Sequence, residues 1–271
     1  MTKKLKILMA FMRRDLLTEA SYKFSFMLGI FYLLINLLIF YFIDKMFGHS
    51  LTAHTSTFGA SYFSYVFLGI ILFNFVGPGF SSLASKIRTE QYQGTFESLI
   101  ASPLSPFELI IGLSAWNLAY SLAEFGAYVF IGALVFRIDF SNINVVSFLA
   151  TLTLSILNFI AIGIISSCFV VIFKKGNPIN LLLTPLEGIL GGVYFPISVL
   201  PAGFQKISMI LPITYSIKAA QLAVHKNASL SQIKTELFIL AAFAIFLLPI
   251  SLKMFEKSVK AASRTGQISN Y

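Results

Sequence analysis

Long runs of apolar residues most constrain how this chain folds. A membrane-spanning helix needs about 20 mainly apolar residues. Six segments are candidates: residues 24–43, 62–83, 107–136, 145–173, 181–195 and 237–252. Only 11% of the residues are charged, whereas about 25% are charged in a soluble domain. The sequence therefore predicts one all-α integral membrane domain over residues 1–271, with six transmembrane helices.

The fifth apolar run is too short for a simple crossing. Its 15 residues would make a helix of about 22 Å, and the hydrocarbon core is about 30 Å thick. The apolar sequence that follows is interrupted at Pro196, Pro201 and Pro212. Irregular backbone at membrane depth needs cover from protein or from a water-filled cavity. We therefore predict that residues 196–226 form an external re-entrant pair of helices.

The positions of the basic residues predict the orientation. With six spans and a cytoplasmic N-terminus, 14 of the 20 Lys and Arg residues fall on the inner side and six on the outer side. The positive-inside rule favours this arrangement, with both termini cytoplasmic. The net charge of +9 is explained by basic residues that contact lipid headgroups and set the orientation of the chain. No nucleic-acid partner is therefore predicted. The basic, polar tail, residues 253–271, is expected to be weakly ordered.

The first 23 residues are predicted to form an amphipathic helix on the inner leaflet. One helical face would carry the apolar residues Leu5, Leu8, Met9, Met12 and Leu16, and the basic residues fall largely elsewhere. The alternative is a basic arm that only fixes the orientation of the chain.

The cytoplasmic loop, residues 84–106, contains signals for a short helix. Thr95 is a candidate N-cap, and Glu97 would lie in the first turn. Phe96, Leu99 and Ile100 would share one apolar face. So short a helix is unstable alone, so this face needs a cover: the lipid interface, the N-terminal helix or a partner protein.

A capped corner follows this short helix. A residue before proline avoids the α region, which ends the helix near Ser102. Ser105, Pro106 and Glu108 then supply an N-cap, a proline at the first helical position and the acidic residue of a capping box. We therefore predict a rigid elbow at the start of the third span.

Two carboxyl groups lie inside predicted spans. Glu124 is in the third span and Glu187 in the fifth, and a carboxyl in lipid is costly enough to indicate burial or a water-filled cavity. Pro185, Gly188 and Gly192 interrupt the helix around Glu187, as in helices that line transport pathways. The alternative is a packing role, with each carboxyl hydrogen-bonded to a neighbour such as Asn117 or Asn158.

No motif in the chain predicts catalysis or metal binding. A nucleotide-binding loop would read GxxxxGK[ST], and "KKGNP" at residues 174–178 does not match it. His49, His54 and His225 are predicted on the outer side, the first two in a loop, and are not expected to bind a metal. The chain is therefore not predicted to be an enzyme.

Two segments resemble the permease subunits of the type-2 ABC exporter family. "RTEQYQGTFESLIASPLSPFELIIG", residues 88–112, is similar to that family's cytoplasmic motif, with an acidic residue, a Gly-Thr pair, a Glu and a P-L-S corner in this order. "LEGILGGVYFPISVLPAGFQKISMILPITYSIKAAQ", residues 186–221, resembles its fifth span and external re-entrant region. With the six-span layout and the basic N-terminal helix, the resemblance covers essentially the whole chain.

This resemblance implies that the loop carries a coupling helix, which docks on a separate ATP-binding subunit that holds ATP and Mg²⁺. The residues carried over to that docking element, with Ile100 from its apolar face, are Glu90, Gly94, Thr95, Phe96, Glu97, Leu99 and Ile100. It also implies a pathway lined by the second and fifth spans of two permease copies, which adds Asn74, Gly77 and Pro78 to Glu124, Glu187, Gly188 and Gly192. The expected assembly is a homodimeric exporter in the inner membrane of a prokaryote.

The segment before the first span favours drug, lipid or natural-product export over polysaccharide export. "EASYKFSFMLGIFYLL", residues 19–34, does not resemble the aromatic and Arg-rich entry of the polysaccharide branch. The alternatives are a polysaccharide or glycolipid exporter of the same family, or an ATP-independent secondary transporter or channel. Ion-driven transport by the permease alone would favour the last of these.

Overall fold

The computed structural model describes residues 3–21, 23–173 and 178–264, and α-helices dominate these ranges. Two short 3₁₀ turns, Ser56–Phe58 and Ile197–Val199, lie between them. The ten helices are α1 (Lys3–Ser21), α2 (Lys23–Thr55), α3 (Tyr62–Tyr92), α4 (Phe96–Ala101), α5 (Pro106–Leu134), α6 (Val145–Phe173), α7 (Pro178–Leu190), α8 (Ala202–Ser208), α9 (Pro212–His225) and α10 (Lys234–Arg264). The predicted all-α class is confirmed.

The length and composition of the helices fit a membrane protein. Four segments of the described chain are long and apolar enough to cross a bilayer: Leu34–Phe58, Pro106–Leu134, Val145–Phe173 and Lys234–Ala262. α8 and α9 meet at an angle of 90°, and as one broken span they would make a fifth. Shorter apolar helices cover Tyr62–Gly77 and Leu181–Leu190. The count of six spans therefore stays a prediction.

Two helices extend beyond the ends that the apolar segments of the sequence predicted. α2 continues to Thr55, so His49 and His54 lie on a helix and the prediction of a loop there was wrong. α10 continues to Arg264, which corrects the expectation of a weakly ordered tail as far as that residue. The reason is packing: Phe255 is fully buried on α10 among apolar residues of other helices. Residues 265–271 lie outside the described ranges.

The N-terminal helix contacts the rest of the chain through a face that the sequence analysis did not select. Among the described side chains of α1, Phe11 and Asp15, one helical turn apart, are buried, at 8% and 2% exposure. Phe11 packs on Gly112 of α5, where an added Cβ would lie 2.8 Å from its ring. The predicted face includes Met9 and Leu16, which are both 47% exposed and available to lipid.

The centre of the fold is α3, which packs against α5, α6 and α2. Its buried residues include Tyr65, Phe67 and Ile71. The Tyr65 hydroxyl donates a 2.7 Å hydrogen bond to the backbone oxygen of Gly192, just after α7. The Gln221 amide of α9 donates to the backbone oxygen of Tyr65 at 2.8 Å. These bonds attach the segment that follows α7 to the central helix.

Prolines mark the helix boundaries of the predicted re-entrant region. Pro196 and Pro201 are the N-caps of the 3₁₀ turn and of α8, and Pro212 is the first residue of α9. The predicted pair of short helices is therefore present. Its depth in the membrane stays a prediction.

Candidate functional site

The predicted coupling segment begins with a tight turn at the end of α3. Gly94 has φ +70°, a left-handed conformation that favours glycine. The Thr95 amide donates to the Glu90 oxygen at 3.0 Å, and the Gly94 amide donates to the Gln91 oxygen at 3.1 Å. This pair of bonds is a Schellman motif, which closes the end of α3 and fixes the direction in which α4 leaves it.

The Thr95 side chain has a different role from the predicted N-cap. Thr95 occupies the N-cap position of α4, but its side chain makes no capping hydrogen bond. Its hydroxyl donates instead to the carboxylate of Glu90. The Schellman turn brings Thr95 back over α3, which explains why its hydroxyl meets Glu90 and not the first turn of α4.

Glu90 belongs to a cluster of charged side chains that joins α1 to α3. Its carboxylate lies 2.7 Å from the Arg14 guanidinium. The Arg14 guanidinium also contacts the Asp15 carboxylate at 3.1 Å, and the Lys86 ammonium lies 3.1 Å from the other Asp15 oxygen. Both carboxylates are buried, at 5% and 3% side-chain exposure. We call these four residues, Arg14, Asp15, Lys86 and Glu90, the bracing cluster.

The apolar face of α4 is covered by this chain itself. Phe96 is 2% exposed and packs in a buried cluster with Phe11 of α1, Leu109 of α5 and Phe255 of α10. We call it the cytoplasmic cluster, after the side on which the sequence analysis predicts it. Leu99 and Ile100 pack against the same cluster. The N-terminal helix, one of the three predicted covers, is part of this cluster, and α3, α5 and α10 also contribute side chains to it.

These contacts divide the predicted docking residues into two groups. Glu90 and Phe96 are buried within the chain, at 3% and 2% exposure, so their predicted part in docking would be to support the exposed residues. Gly94, Thr95 and Glu97 are exposed. No basic residue of the described ranges lies within ion-pair distance of Glu97. The exposed tip also includes residues that the sequence analysis did not select, namely Tyr92, Gln93 and Ser98.

The corner before α5 has the predicted geometry. The Glu108 amide donates to the Ser105 hydroxyl at 3.2 Å, and the Glu108 carboxylate accepts from the Ser105 amide at 3.0 Å. Pro106 is the first helical residue, and Ser102 ends α4 in an extended conformation. The reciprocal bonds of this capping box hold the start of α5 at a fixed angle to α4.

A second candidate site is a cavity of about 430 Å³ between the apolar helices. α2, α3, α5 and α7 all contribute to its wall, together with Tyr194 of the segment after α7. The cavity brings together two of the predicted pathway residues, Asn74 and Glu124. Its lining is Gly29, Tyr32, Asn36, Ile70, Phe73, Asn74, Glu124, Tyr128, Thr184 and Tyr194.

Glu124 is hydrogen-bonded on its own helix. The Tyr128 hydroxyl, one turn further along α5, donates to its carboxylate. Asn158, a predicted partner, lies elsewhere and donates to the backbone oxygens of Leu154 and Leu240, both at 2.9 Å. Glu124 therefore faces the cavity with one oxygen held by a tyrosine.

The remaining pathway residues lie around the cavity and not in its lining. Glu187 is buried at 4% exposure in α7. An added Cβ at Gly188 would lie 3.4 Å from the Tyr194 ring, so this glycine supports the cavity wall from behind. Gly192 has φ +82° and lies two residues after the end of α7. Gly77 lies one turn from Phe73 on α3. Pro78 is in α3, but its side chain lies outside the described part of the structure.

Sequence reasoning missed the bracing cluster and most of the cavity lining. One local signal was available: Lys86 and Glu90 are four residues apart, a spacing that puts them on one helical face. Tyr32 and Asn36 have the same spacing on α2, but no local signal links them to Thr184, which comes beside them only when α2 and α7 pack beside α3.

Comparisons with known proteins agree with the sequence resemblance. Residues 7–224 match the model of a family described as ABC-2 type transporter. Three of the similar curated proteins are named inner membrane transport permease YadH, from Escherichia coli strain K12, Escherichia coli O157:H7 and Shigella flexneri. Each is 27% identical over 165 residues, a match that covers 59% of this chain and 61% of the relative. Because the family model spans most of the sequence, the chain belongs to the ABC-2 type transporter family.

Proposed function

We propose that this chain is the permease subunit of an ATP-driven exporter. It moves an amphipathic, lipid-like or drug-like substrate out of the cytoplasm or the inner leaflet. A separate ATP-binding subunit, which holds ATP and Mg²⁺, supplies the energy. Membership of the ABC-2 type transporter family supports this proposal.

The observation that carries the proposal is the contrast between the two faces of α4. Its apolar face is anchored in the cytoplasmic cluster through Phe96, and its exposed tip presents Glu97. A partner that pushes on this tip would move α4 together with α1, α3 and α5, because Phe96 shares one buried cluster with residues of those helices and the bracing cluster joins α1 to α3. Such a rigid connection is what the coupling of ATP-driven motion to a membrane helix requires.

The cavity supports a route through the membrane domain. It lies between α2, α3, α5 and α7, and its volume of about 430 Å³ is in the range of pockets for drug-sized ligands, about 300 to 1,000 Å³. Aromatic and amide side chains line it, a combination that accepts an amphipathic molecule.

The assembly that we propose contains two copies of this chain and two ATP-binding subunits. Large apolar residues are exposed on α2 and α7, among them Phe31, Phe42, Leu181 and Leu182. Lipid or a second copy would cover them. We place the protein in the inner membrane as a multi-pass protein, with both termini in the cytoplasm. The names of the similar permeases and the distribution of basic residues support this location.

The test is reconstitution of the full-length chain in liposomes with the ATP-binding subunit that co-purifies with it. We expect the Glu97→Lys substitution to weaken binding of that subunit about tenfold, because a reversed charge at an interface costs on the order of 1.4 kcal/mol or more. The stimulation of ATP hydrolysis by the permease should fall in parallel. The matched control is Glu256→Lys, which makes the same charge change on the exposed part of α10.

Three results would contradict the proposal. One is that no ATP-binding subunit co-purifies with the native permease. The second is that Glu97→Lys and Glu256→Lys affect ATP hydrolysis equally. The third is ion-driven transport by the permease alone, which would favour the secondary transporter or channel.

A further inference from the structure

Of the described residues that line the membrane cavity, one carries a charge. Among the lining residues that the structure describes, Glu124 is the single carboxylate, and none is Lys, Arg or His. Asn36, Asn74 and Thr184 supply neutral hydrogen-bonding groups, and the rest of the wall is aromatic, aliphatic or glycine. The electrostatic character of the cavity therefore depends on this one carboxyl group.

Glu124 has no basic partner within the ranges that the structure describes. The ion pairs found there involve Asp15, Glu90, Glu236 and Glu256, and none of them includes Glu124. Its hydrogen-bond partner, the Tyr128 hydroxyl, is neutral and satisfies only part of a carboxylate's capacity. The residue is half-buried, and a carboxylate at membrane depth is costly without a compensating charge, so a cationic ligand would stabilise it.

Aromatic rings surround the same space. Tyr32 of α2, Phe73 of α3, Tyr128 of α5 and Tyr194 line the cavity together with Glu124. The Tyr194 ring is held by stacking on Phe40, with ring centroids 5.5 Å apart. Aromatic faces attract organic cations, and the attraction grows when the cation is desolvated. A carboxylate with several rings in one cavity is the combination that recognises an amphipathic cation.

We propose that this cavity binds a lipophilic organic cation. Glu124 supplies the opposite charge, the rings of Tyr32, Phe73 and Tyr194 contact the apolar body of the ligand, and Asn74 accepts or donates a hydrogen bond at its polar edge. This inference rests on the proposed export function for its biological meaning, since it names the class of substrate. The binding itself does not depend on ATP.

Binding of radiolabelled tetraphenylphosphonium to the full-length permease in nanodiscs tests this proposal, with empty nanodiscs as the blank. We expect saturable binding that Glu124→Gln weakens about tenfold or more, because the isosteric amide removes the charge. Tyr194→Leu, which removes one ring, should weaken binding about threefold. Glu256→Gln is the matched control, since Glu256 lies outside the cavity, and it should bind as the unaltered protein does.

A second measurement keeps the proposal testable if Glu124→Gln does not fold. Unlabelled tetraphenylphosphonium should displace the label from the unaltered permease, whereas triphenylphosphine oxide, a neutral compound that also carries phenyl rings on phosphorus, should not. Equal affinity of the unaltered and Glu124→Gln proteins would overturn the proposal, because the carboxylate would then contribute nothing to binding. Equal displacement by both compounds would overturn it as well. The assay contains no ATP-binding subunit, so its failure leaves ATP-driven export standing, and a failure of export leaves this result standing.

Discussion

The Arg14 guanidinium of α1 lies 2.7 Å from the Glu90 carboxylate of α3, and this ion pair fastens the N-terminal helix to the base of the coupling segment. The same Glu90 carboxylate accepts a hydrogen bond from the Thr95 hydroxyl at the start of α4. One carboxylate of α3 therefore contacts both α1 and the residue at the start of α4. A movement of α4 would change the environment of a buried charge, which makes independent movement of α1 and α4 costly.

The first prediction concerns the Arg14–Glu90 pair. Arg14→Met leaves the Glu90 carboxylate buried without its partner, and we expect a loss of about 1 to 2 kcal/mol of stability. This figure is below that for a fully buried pair, because Arg14 is 41% exposed. Thermal unfolding of the purified permease in detergent measures the change. Arg13→Met is the control, since Arg13 is the exposed neighbour in α1.

The double variant Arg14→Met with Glu90→Gln separates the ion pair from general damage to α1. Removal of the second charge should restore part of the lost stability, because Glu90 then leaves no unpaired carboxylate in the bracing cluster. Additive losses from the two substitutions would show that the pair contributes nothing by itself.

The second prediction concerns Gly94 in the turn before α4. Gly94→Ala should destabilise the permease by about 1 kcal/mol or more, because a left-handed conformation strains an alanine. Steric contact is not the reason, since a Cβ there meets no atom within 4 Å. Gly126→Ala is the matched control: Gly126 also has open space at its Cβ but lies within α5, where alanine favours the helix. Thermal unfolding in detergent should separate the two variants, and equal midpoints would contradict the prediction.

Features set by neighbouring residues were predictable from the sequence. The Ser105, Pro106 and Glu108 corner formed as expected, because a capping box depends on residues within one turn. The breaks at Pro196, Pro201 and Pro212 coincide with helix starts for the same kind of reason: proline lacks an amide donor and has a fixed φ.

Features set by contacts between distant helices were not predictable. Helical periodicity placed Leu8 and Met9 on one face of α1, but it could not show that Gly112 would leave room for Phe11. The burial of Glu90 depends on Arg14, which lies on another helix. Hydrophobic periodicity also identifies an apolar face without saying whether lipid, a partner or the same chain covers it.

The third prediction concerns the Ser105 cap. Ser105→Ala should cost about 1 kcal/mol, because both reciprocal bonds with Glu108 depend on the cap residue or its geometry. Hydrogen exchange at the first turn of α5 should rise. Ser98→Ala, an exposed substitution on α4, is the control and should leave exchange in α5 unchanged. Protection of α5 that is the same in both variants would show that Pro106 alone fixes the corner.

The fourth prediction concerns Gly69 in the central helix. A Cβ at Gly69 would lie 2.2 Å from the backbone oxygen of Val193, so Gly69→Ala must push α3 away from the segment after α7. We expect a loss of about 3 kcal/mol or more in the free energy of unfolding, because a backbone atom cannot rotate aside as a side chain can.

The shift should also break the hydrogen bond from Tyr65 to Gly192. The loss of this bond alone, in Tyr65→Phe, should cost about 1 kcal/mol. Gly203→Ala is the control, since a Cβ there meets nothing within 4 Å. The unfolding midpoint in detergent should fall in the order Gly203→Ala, Tyr65→Phe, Gly69→Ala, and a Gly69→Ala variant as stable as Gly203→Ala would show that α3 and the segment after α7 do not approach this closely.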